Sequence, residues 1–463
     1  MTGSKKNWVN NYGSMEEITK QYIDLFEQNK GLIDKYAPHV LNNRRDNALT
    51  MLKGTGLPSS AEEAYAHTDV RAFFAPDYGL NLRRLDIPVS PYEVFRCDVP
   101  NLSTFLYFMV NDTFYTKEQP TGKLPDGVFA GSLKEFAEKM PQIAEKYYDR
   151  QASQRADGAT ALNTMYTQDG FVLYVPKNVK VEKPIQLINV LRSDVDFLVN
   201  RRILVIIEQH AEAKLLLCDH AMNEVNFLAN QVAEIFVGEG AYFDYYELEE
   251  NTVNTKRVAS TYVHQEANSN VLTNSITLTN GRTRNNFFVT FAGEGAESHL
   301  SGMVIADGEQ QVDNYTIIDH AVPHCHSNEL FKYVINDEAQ GSFAGRILVR
   351  EGADKTEAYQ SNKNLCATDK ARMFTRPELE IYADDVKCSH GATVGQLDTQ
   401  ALFYLRARGI PEAEARMLLM YAFSSDVLDQ IRLEPLKERL RLLVEKRFRG
   451  ELAKCRTCHQ DCH

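Results

Sequence analysis

Apolar residues recur at three- and four-residue spacing from Met15 to Tyr36, and this spacing predicts an amphipathic helix. A similar stripe runs from Ser132 to Arg150, where the serine is a suitable helix N-cap. Between the two stretches lie connections marked by proline and shorter apolar pieces such as LSTFLYFMVNDTFY, which are candidates for strands. The pattern therefore predicts a mostly helical N-terminal domain over residues 1–155.

From about residue 156 the pattern changes to short β-branched or aromatic runs that are separated by turn residues. Examples are GFVLYVP, KPIQLINVL, RRILVIIEQ, VAEIFVG and NNFFVTFAG. No stretch with helical periodicity separates these runs, so an alternating β/α fold is excluded. The segment 156–395 is therefore predicted to be an all-β core.

A small-residue corner recurs within this β segment. It consists of Glu or Gly followed by alanine, and the alanines are Ala213, Ala241, Ala267, Ala296, Ala339 and Ala353. The first four follow one another at intervals of 26 to 29 residues, and Ala353 lies about two such intervals after Ala296. Regular spacing of strands and corners is typical of coils stacked on one another, so the pattern favours a β-helix over a β-sandwich.

The chain becomes helical again over residues 396–454. Asp398 is a suitable N-cap for the first helix, Gly409 is a suitable C-cap, and Pro411 begins the second helix. A third helix follows, with an apolar stripe opposite its Lys and Arg residues. Residues 455–463 form a separate tail that is rich in cysteine and histidine.

Composition limits the function classes. The 463 residues are 43% apolar and 25% charged, which is typical of a folded protein of two or three domains. Lys and Arg total 51 against 63 Asp and Glu, and a net charge of −12 argues against a nucleic-acid or membrane-surface partner. We find no secretory signal and no apolar run of spanning length, and the cysteines are mostly scattered. We therefore expect a cytoplasmic protein with reduced thiols.

The densest chemical signal lies between Tyr382 and Gly395. If this segment is a strand, Cys388 and His390 project from the same face because they are two residues apart. A thiolate and an imidazole together can bind iron or a similar metal, although a partner would have to complete the site. Spacing alone favours the alternative of a buried structural cysteine beside a surface histidine.

Two other clusters suggest metal ligands. His320, His324, Cys325 and His326 lie within seven residues, with His324 and His326 expected on one strand face, but a second ligand pair is missing, so we interpret them as mostly structural. In the tail, Cys455, Cys458 and Cys462 have dense metal-ligand spacing, and a flexible tail of this kind could bind metal or simply oxidise.

Standard enzyme motifs are missing from the sequence. There is no P-loop, HExxH, GxSxG or dinucleotide-binding turn. A carbohydrate enzyme on a β-helix would need clustered acids in one groove, but the adjacent Asp384 and Asp385 would point to opposite faces of a strand. We therefore expect no catalytic activity, and a metal store acting through the tail is the other alternative.

Several longer segments closely resemble the SufB/SufD family of iron–sulfur cluster assembly proteins. The matching segments, in the family's order, are residues 169–176 with 181–185, 319–321, 359–365, 387–395 and 402–410, the last of which resembles FYLRxRGI. The sequence Cys388-Ser389-His390-Gly391 resembles the SufD branch, and no cysteine lies near Gln360-Ser361, where the SufB branch carries one. The N-terminal match is weaker, because Glu63-Ala64-Tyr65-Ala66-His67-Thr68 departs from the family pattern.

The resemblance implies a fold and a function. The fold is mainly β, with a right-handed parallel β-helix core flanked by N-terminal and C-terminal helical domains. The function is that of a non-enzymatic scaffold subunit that pairs with SufB, shares a transient iron–sulfur cluster with it at their interface, and holds no permanent cofactor. When isolated, such a chain could also pair with itself as a homodimer. His390, with Cys388 beside it, matches the family's interfacial position.

The resemblance also implies that the C-terminal helices dock on the SufC ATPase. The candidate residues for this contact follow the apolar stripe of the first two helices and the turn between them: Leu405, Arg408, Gly409, Ile410, Met417, Leu418, Tyr421, Ala422 and Phe423. The same stripe is equally compatible with an ordinary intradomain core, because an amphipathic helix has the same pattern in both cases.

Overall fold

The computed structural model describes residues 13–91, 103–117 and 122–451, and within them the protein is mainly β. The strands are β1 Phe105–Val110, β2 Thr113–Phe114, β3 Phe129–Ser132, β4 Phe171–Val175, β5 Ile185–Leu191, β6 Phe197–Ile207, β7 Glu212–Ala221, β8 Phe227–Val237, β9 Tyr242–Glu250, β10 Thr255–Gln265, β11 Asn270–Thr279, β12 Arg282–Phe291, β13 Glu297–Ala306, β14 Gln311–His320, β15 His326–Ile335, β16 Gln340–Val349, β17 Glu357–Cys366, β18 Arg372–Ile381 and β19 Lys387–Gly395.

Helices lie at both ends of the described chain. They are α1 Met15–Lys35, α2 His39–Thr55, α3 Val70–Phe74, α4 Leu133–Lys139, α5 Pro141–Tyr147, α6 Gly158–Tyr166, α7 Thr399–Ala407, α8 Glu412–Asp429 and α9 Glu434–Phe448. Two short 3₁₀ turns span Glu63–Tyr65 and Ala152–Gln154. No helix in the described ranges is long and apolar enough to cross a membrane.

The strands form two sheets, which are parallel apart from the antiparallel pairs β1–β2 and β3–β4. One sheet, which we call the odd-numbered sheet after most of its strands, has the order β19-β17-β15-β13-β11-β9-β7-β5-β1-β2. The other, which we call the even-numbered sheet, has the order β18-β16-β14-β12-β10-β8-β6-β4-β3. From β4 onward, consecutive strands alternate between the two sheets, so the chain winds through about eight turns of a parallel β-solenoid. The predicted β-helix class is confirmed. A β-sandwich is excluded because its strands would pair antiparallel.

The interior of the solenoid explains why the sequence winds in this way. Alternate residues of each strand point inward, and in the early turns these are apolar residues such as Ile203, Ile235 and Phe243, all fully buried. Burying each such side chain contributes about 1.5 to 3 kcal/mol. At the corners, Ala241 and Ala339 are fully buried, because a small residue lets the backbone turn close to the core.

The helices cover the outer faces of the two sheets. N-terminal residues such as Phe26 and Leu162 pack on Leu198 of the even-numbered sheet, and C-terminal residues such as Leu440 pack on Leu272 of the odd-numbered sheet. The first segment is also tied to the core, since β1 pairs in parallel with β5. The domain boundaries at about 155, 395 and 454 stay predictions.

The helix signals were mostly accurate. The predicted N-terminal helix forms over Met15–Lys35, and Asp398 accepts hydrogen bonds from the backbone N–H groups at the start of α7. The helical stripe predicted from Ser132 to Arg150 forms two helices capped at the start by Ser132, because the chain divides into α4 and α5 at Pro141. Proline has no backbone N–H to continue the first helix, although it is accepted at the start of the next one.

The segment that departs from the family pattern is held firmly against the solenoid. The ring of Tyr65 lies 4.3 Å from the guanidinium of Arg284, and its hydroxyl donates to Asp157. Thr68 donates to Asp313, which in turn accepts from Arg284 at 2.6 Å. Residues 65–68 therefore fasten the N-terminal region to the outer face of the even-numbered sheet.

Candidate functional site

Strand β19 is the last strand of the odd-numbered sheet and pairs, among the described residues, only with β17. In this register Cys388 lies beside Ala358 and His390 lies beside Gln360. Ala358 and Gln360 are buried in the solenoid interior, so the matching positions of β19 are on the inner face of the last turn. The structure therefore places Cys388 and His390 on one strand face, at the open end of the solenoid.

The two candidate ligands have different surroundings. His390 is exposed, whereas Cys388 is half-buried and packs against a small apolar cluster that includes Ile347 and Ala358. Burial raises the pKa of the Cys388 thiol, so the free thiol is protonated at neutral pH. A metal would have to displace that proton before the sulfur could bind, and His390 is therefore the more accessible ligand.

Below His390 the interior is polar. Gln360 and Glu329 occupy the next two positions in the same column of the sheet, on β17 and β15. Both are buried, and the Gln360 amide nitrogen donates to Glu329 at 2.6 Å. Burial raises the pKa of Glu329 to about 7.

Sequence reasoning missed Gln360 and Glu329. A signal for Glu329 exists, since it is the one acidic residue on the face of β15 that otherwise carries Phe331, Tyr333 and Ile335. A single acidic residue among apolar core residues is a candidate for a functional position.

The cluster from His320 to His326 does not form a site. His320 is buried, and its Nε2 lies 2.9 Å from the Ser327 hydroxyl. Burial lowers its pKa to about 3, so the ring is neutral. The expectation that His324 and His326 share a strand face is wrong, because β15 begins at His326 and His324 lies in the preceding turn with φ of 61°.

The outer face of the same sheet carries a row of ionisable side chains. Glu297, His326, Glu357 and Lys387 are successive register partners on β13, β15, β17 and β19. Glu357 accepts from Lys387 at 2.7 Å, and this ion pair lowers the pKa of Glu357. Within residues 13–91, 103–117 and 122–451, no three His, Cys, Asp or Glu side chains are grouped to hold a metal. The tail cysteines Cys455, Cys458 and Cys462 lie outside the described residues.

The predicted SufC-binding residues on the C-terminal helices fall into two groups that differ in their exposure. Met417 is buried, and four further residues are half-buried: Leu405, Ile410, Tyr421 and Phe423. Arg408, Gly409, Leu418 and Ala422 are exposed. Only the second group is available to a partner without rearrangement.

Two aromatic residues of the family-like segment 402–410, which were not among the candidate SufC-binding residues, dominate the exposed part of these helices. Phe403 is 73% exposed and Tyr404 is 57% exposed, both on α7, which has no buried residue. The Arg408 guanidinium lies 4.9 Å from the Tyr404 ring and donates to its hydroxyl at 2.7 Å. Phe403 and Tyr404 give α7 an exposed apolar surface, which we call the α7 surface, and such surfaces on soluble proteins mark contact sites.

Comparisons with known proteins match almost the whole chain. Residues 190–423 match the family model for the SUF system FeS cluster assembly SufBD core domain, and residues 16–187 match that for the SufBD protein N-terminal region. An iron–sulfur cluster assembly SufBD family protein of Synechocystis is 30% identical over 93% of this chain and 96% of its own length. The iron–sulfur cluster assembly protein SufD of Bacillus subtilis is 28% identical over 70% of this chain and 74% of its own. SufD of Escherichia coli is 36% identical over 36% of this chain and 40% of its own.

Proposed function

Because the chain belongs to the SufBD family of iron–sulfur cluster assembly proteins, we propose that it is a cytoplasmic scaffold subunit without catalytic activity of its own. In this role it supplies part of the site at which a nascent cluster is held, and the cluster is transient cargo shared with SufB. The observation that carries the proposal is the placement of His390 and Cys388 on the inner face of an open last turn.

The open end of the solenoid supports a partner of the same architecture. Strands β18 and β19 end their sheets, so in the described part of the chain each has one unpaired edge. An exposed strand edge is a template for pairing with another chain. SufB is the proposed partner, and a second copy of this chain would occupy the same edges in the isolated protein.

The chemistry of the two side chains suits iron. A neutral imidazole and a thiolate are both iron ligands, but two ligands leave the coordination incomplete. A site of this kind is useful where a second chain brings the remaining ligands. His390 is the principal ligand in this proposal and Cys388 is the secondary one, because the raised pKa of its thiol opposes metal binding.

The proposed contact with SufC is the α7 surface. Phe403 and Tyr404 are large aromatic side chains exposed on a helix that follows directly after β19. A subunit bound there would sit close to the open end, so that movement of the ATPase could be transmitted to the interface that holds the cluster.

Replacing His390 with alanine is expected to lower cluster assembly at least tenfold, on the order of the loss caused by removing a metal ligand or its support. The measurement is anaerobic co-purification with SufB and SufC, followed by ATP-dependent cluster formation detected by visible absorption. The complex should still form, because His390 is exposed and contributes nothing to the core.

The matched control for that experiment is Ser389→Ala, on the same strand but on the opposite face. Its assembly rate should equal that of the unmodified chain. Normal assembly by the His390→Ala complex would remove this residue from the site. Failure of the unmodified chain to bind either partner would refute the scaffold proposal itself.

Phe403→Ala is expected to weaken the affinity for SufC by about tenfold, because an exposed aromatic anchor is the type of residue that dominates protein interfaces. Titration calorimetry with purified SufC measures this affinity. The control is Leu442→Ala, an exposed apolar residue on α9 outside the α7 surface, which should bind normally. Equal affinities for the two variants would place the SufC contact elsewhere.

A further inference from the structure

Three polar residues occupy consecutive positions in one inner column of the odd-numbered sheet. Glu329 on β15 is the register partner of Gln360 on β17, and Gln360 is the register partner of His390 on β19. Neighbouring strands lie about 4.8 Å apart, and side chains at matched positions point the same way. The column therefore runs from the buried interior directly to His390 at the open end.

In the inner part of this column, hydrogen bonding and packing hold the side chains in place. The Nε2 of Gln360 donates to Glu329 at 2.6 Å, and both side chains are buried. Space for the amide is kept by Gly345 on the facing sheet, where an added Cβ would lie 2.5 Å from the Gln360 nitrogen and 2.8 Å from the Thr316 hydroxyl. The position and direction of the Gln360 amide are thus determined by its surroundings.

The other end of the same amide is unsatisfied. The Oε1 of Gln360 is buried and has no hydrogen-bond partner among the described residues. Buried polar atoms are nearly always paired, so an unpaired acceptor in this position calls for a donor. The next residue along the column is His390, whose side chain is exposed at the open end and carries N–H donors.

We propose that Glu329 and Gln360 are positioning residues for His390. Glu329 fixes the orientation of the Gln360 amide, so that Gln360 Oε1 accepts the N–H of one ring nitrogen of His390. The other ring nitrogen of His390 then presents its lone pair at the open end. Histidines that bind metals usually donate their second N–H to such an acceptor, which fixes the tautomer and the ring orientation. The inference rests on the proposed role of His390 as a ligand and extends it by two buried residues.

Glu329→Met tests the arrangement in the isolated chain. The replacement has a similar volume, removes the acceptor of the Gln360 amide and removes a buried carboxyl, so the variant is expected to fold. With ring-¹⁵N-labelled histidine and His390→Ala for assignment, the tautomer ratio of His390 should change by about tenfold, which corresponds to the loss of one oriented hydrogen bond. His299, whose Nε2 lies 2.6 Å from Glu297 on the outer face, is the internal control and should be unchanged.

A double variant separates an effect through Gln360 from a general disturbance. If Glu329 acts through the amide, Glu329→Met combined with Gln360→Leu should give the same tautomer ratio as Gln360→Leu alone. An unchanged His390 signal in folded Glu329→Met protein would overturn the proposal, and so would additive effects in the double variant.

The effect on function is measured as cluster assembly by the complex with SufB and SufC. Glu329→Met should lower cluster assembly several-fold, and it should cause no further loss when His390 is already alanine. Normal assembly by His390→Ala would count against the ligand role alone, because the tautomer measurement needs no partner. An unchanged tautomer together with loss of assembly in His390→Ala would count against the positioning residues alone.

Discussion

Replacing Arg202 with methionine is expected to lower the free energy of unfolding by about 3 to 5 kcal/mol at neutral pH. The guanidinium is fully buried and lies 2.7 Å from Glu234 and 3.0 Å from Asp149, with the Tyr148 ring 4.7 Å away. Removing it leaves two buried carboxyl groups without their cation. The large loss comes from these uncompensated charges and not from the value of the ion pair itself.

This cluster also joins two parts of the chain. Glu234 on β8 accepts hydrogen bonds from the backbone N–H groups of Asp149, Gln151 and Ala152 at 2.8, 2.9 and 3.1 Å. The loop after α5 is thereby held on the outer face of the even-numbered sheet. Loss of Arg202 should loosen this loop first, which hydrogen exchange of its amides would detect.

Urea unfolding at pH 7.5 and pH 5 measures the effect. Burial already raises the pKa of Asp149, and loss of the Arg202 cation should raise it further. A carboxyl whose pKa is raised in the folded state destabilises that state as pH rises, so the defect should be smaller at pH 5. The control is Arg192→Ala, whose exposed pair with Asp194 at 2.6 Å should contribute less than about 1 kcal/mol. Equal losses in the two variants would contradict the expectation.

Glu329→Gln is expected to remove a pH dependence of stability worth about 3 kcal/mol. Burial raises the pKa of Glu329 from 4.5 to about 7, and the neighbouring polar side chains that oppose this rise, Thr316 and Gln360, do not ionise. Because the folded state binds this proton more tightly than the unfolded state, its contribution to stability is full below pH 4.5 and is lost as pH rises through 7. The variant has no such group.

The measurement is the difference in unfolding free energy between Glu329→Gln and the unmodified protein from pH 4.5 to pH 8. The difference should move in favour of the variant as pH rises. Glu357→Gln is the control with the opposite sign, since Lys387 lowers the pKa of Glu357 and its stabilisation is lost as pH falls. A difference for Glu329→Gln that stays constant across this range would show that its pKa is not raised.

Several features could be predicted from the sequence because they depend on local spacing. Alternation along a strand places Cys388 and His390 on one face whatever the rest of the fold. The recurring alanine corners predict stacked coils, since each coil must repeat the same turn to lie on the one before it. Ser132 and Asp398 cap helices through bonds to residues two or three positions away. The longer family-specific segments predicted the SufBD family, which the comparisons confirmed.

Other features of the site depended on how neighbouring coils of the solenoid are aligned. Gln360 and Glu329 precede His390 by 30 and 61 residues, and only the parallel register of β15, β17 and β19 brings them into one column. A shift of the register by one residue would have turned Glu329 outward. The sequence of each strand does not specify that offset, because it results from the lengths of two turns and the packing of both sheets.

The helices show the same division. The apolar stripe of α8 was visible in the sequence, but its pattern is the same for a residue that faces its own domain and for one that faces a partner. Only the packed structure separates buried Met417 from exposed Leu418 and identifies Phe403 as uncovered. Local periodicity therefore determined the secondary-structure elements and the face of each element on which a residue lies. Tertiary packing decided which neighbours share the site, because burial depends on contacts between distant parts of the chain.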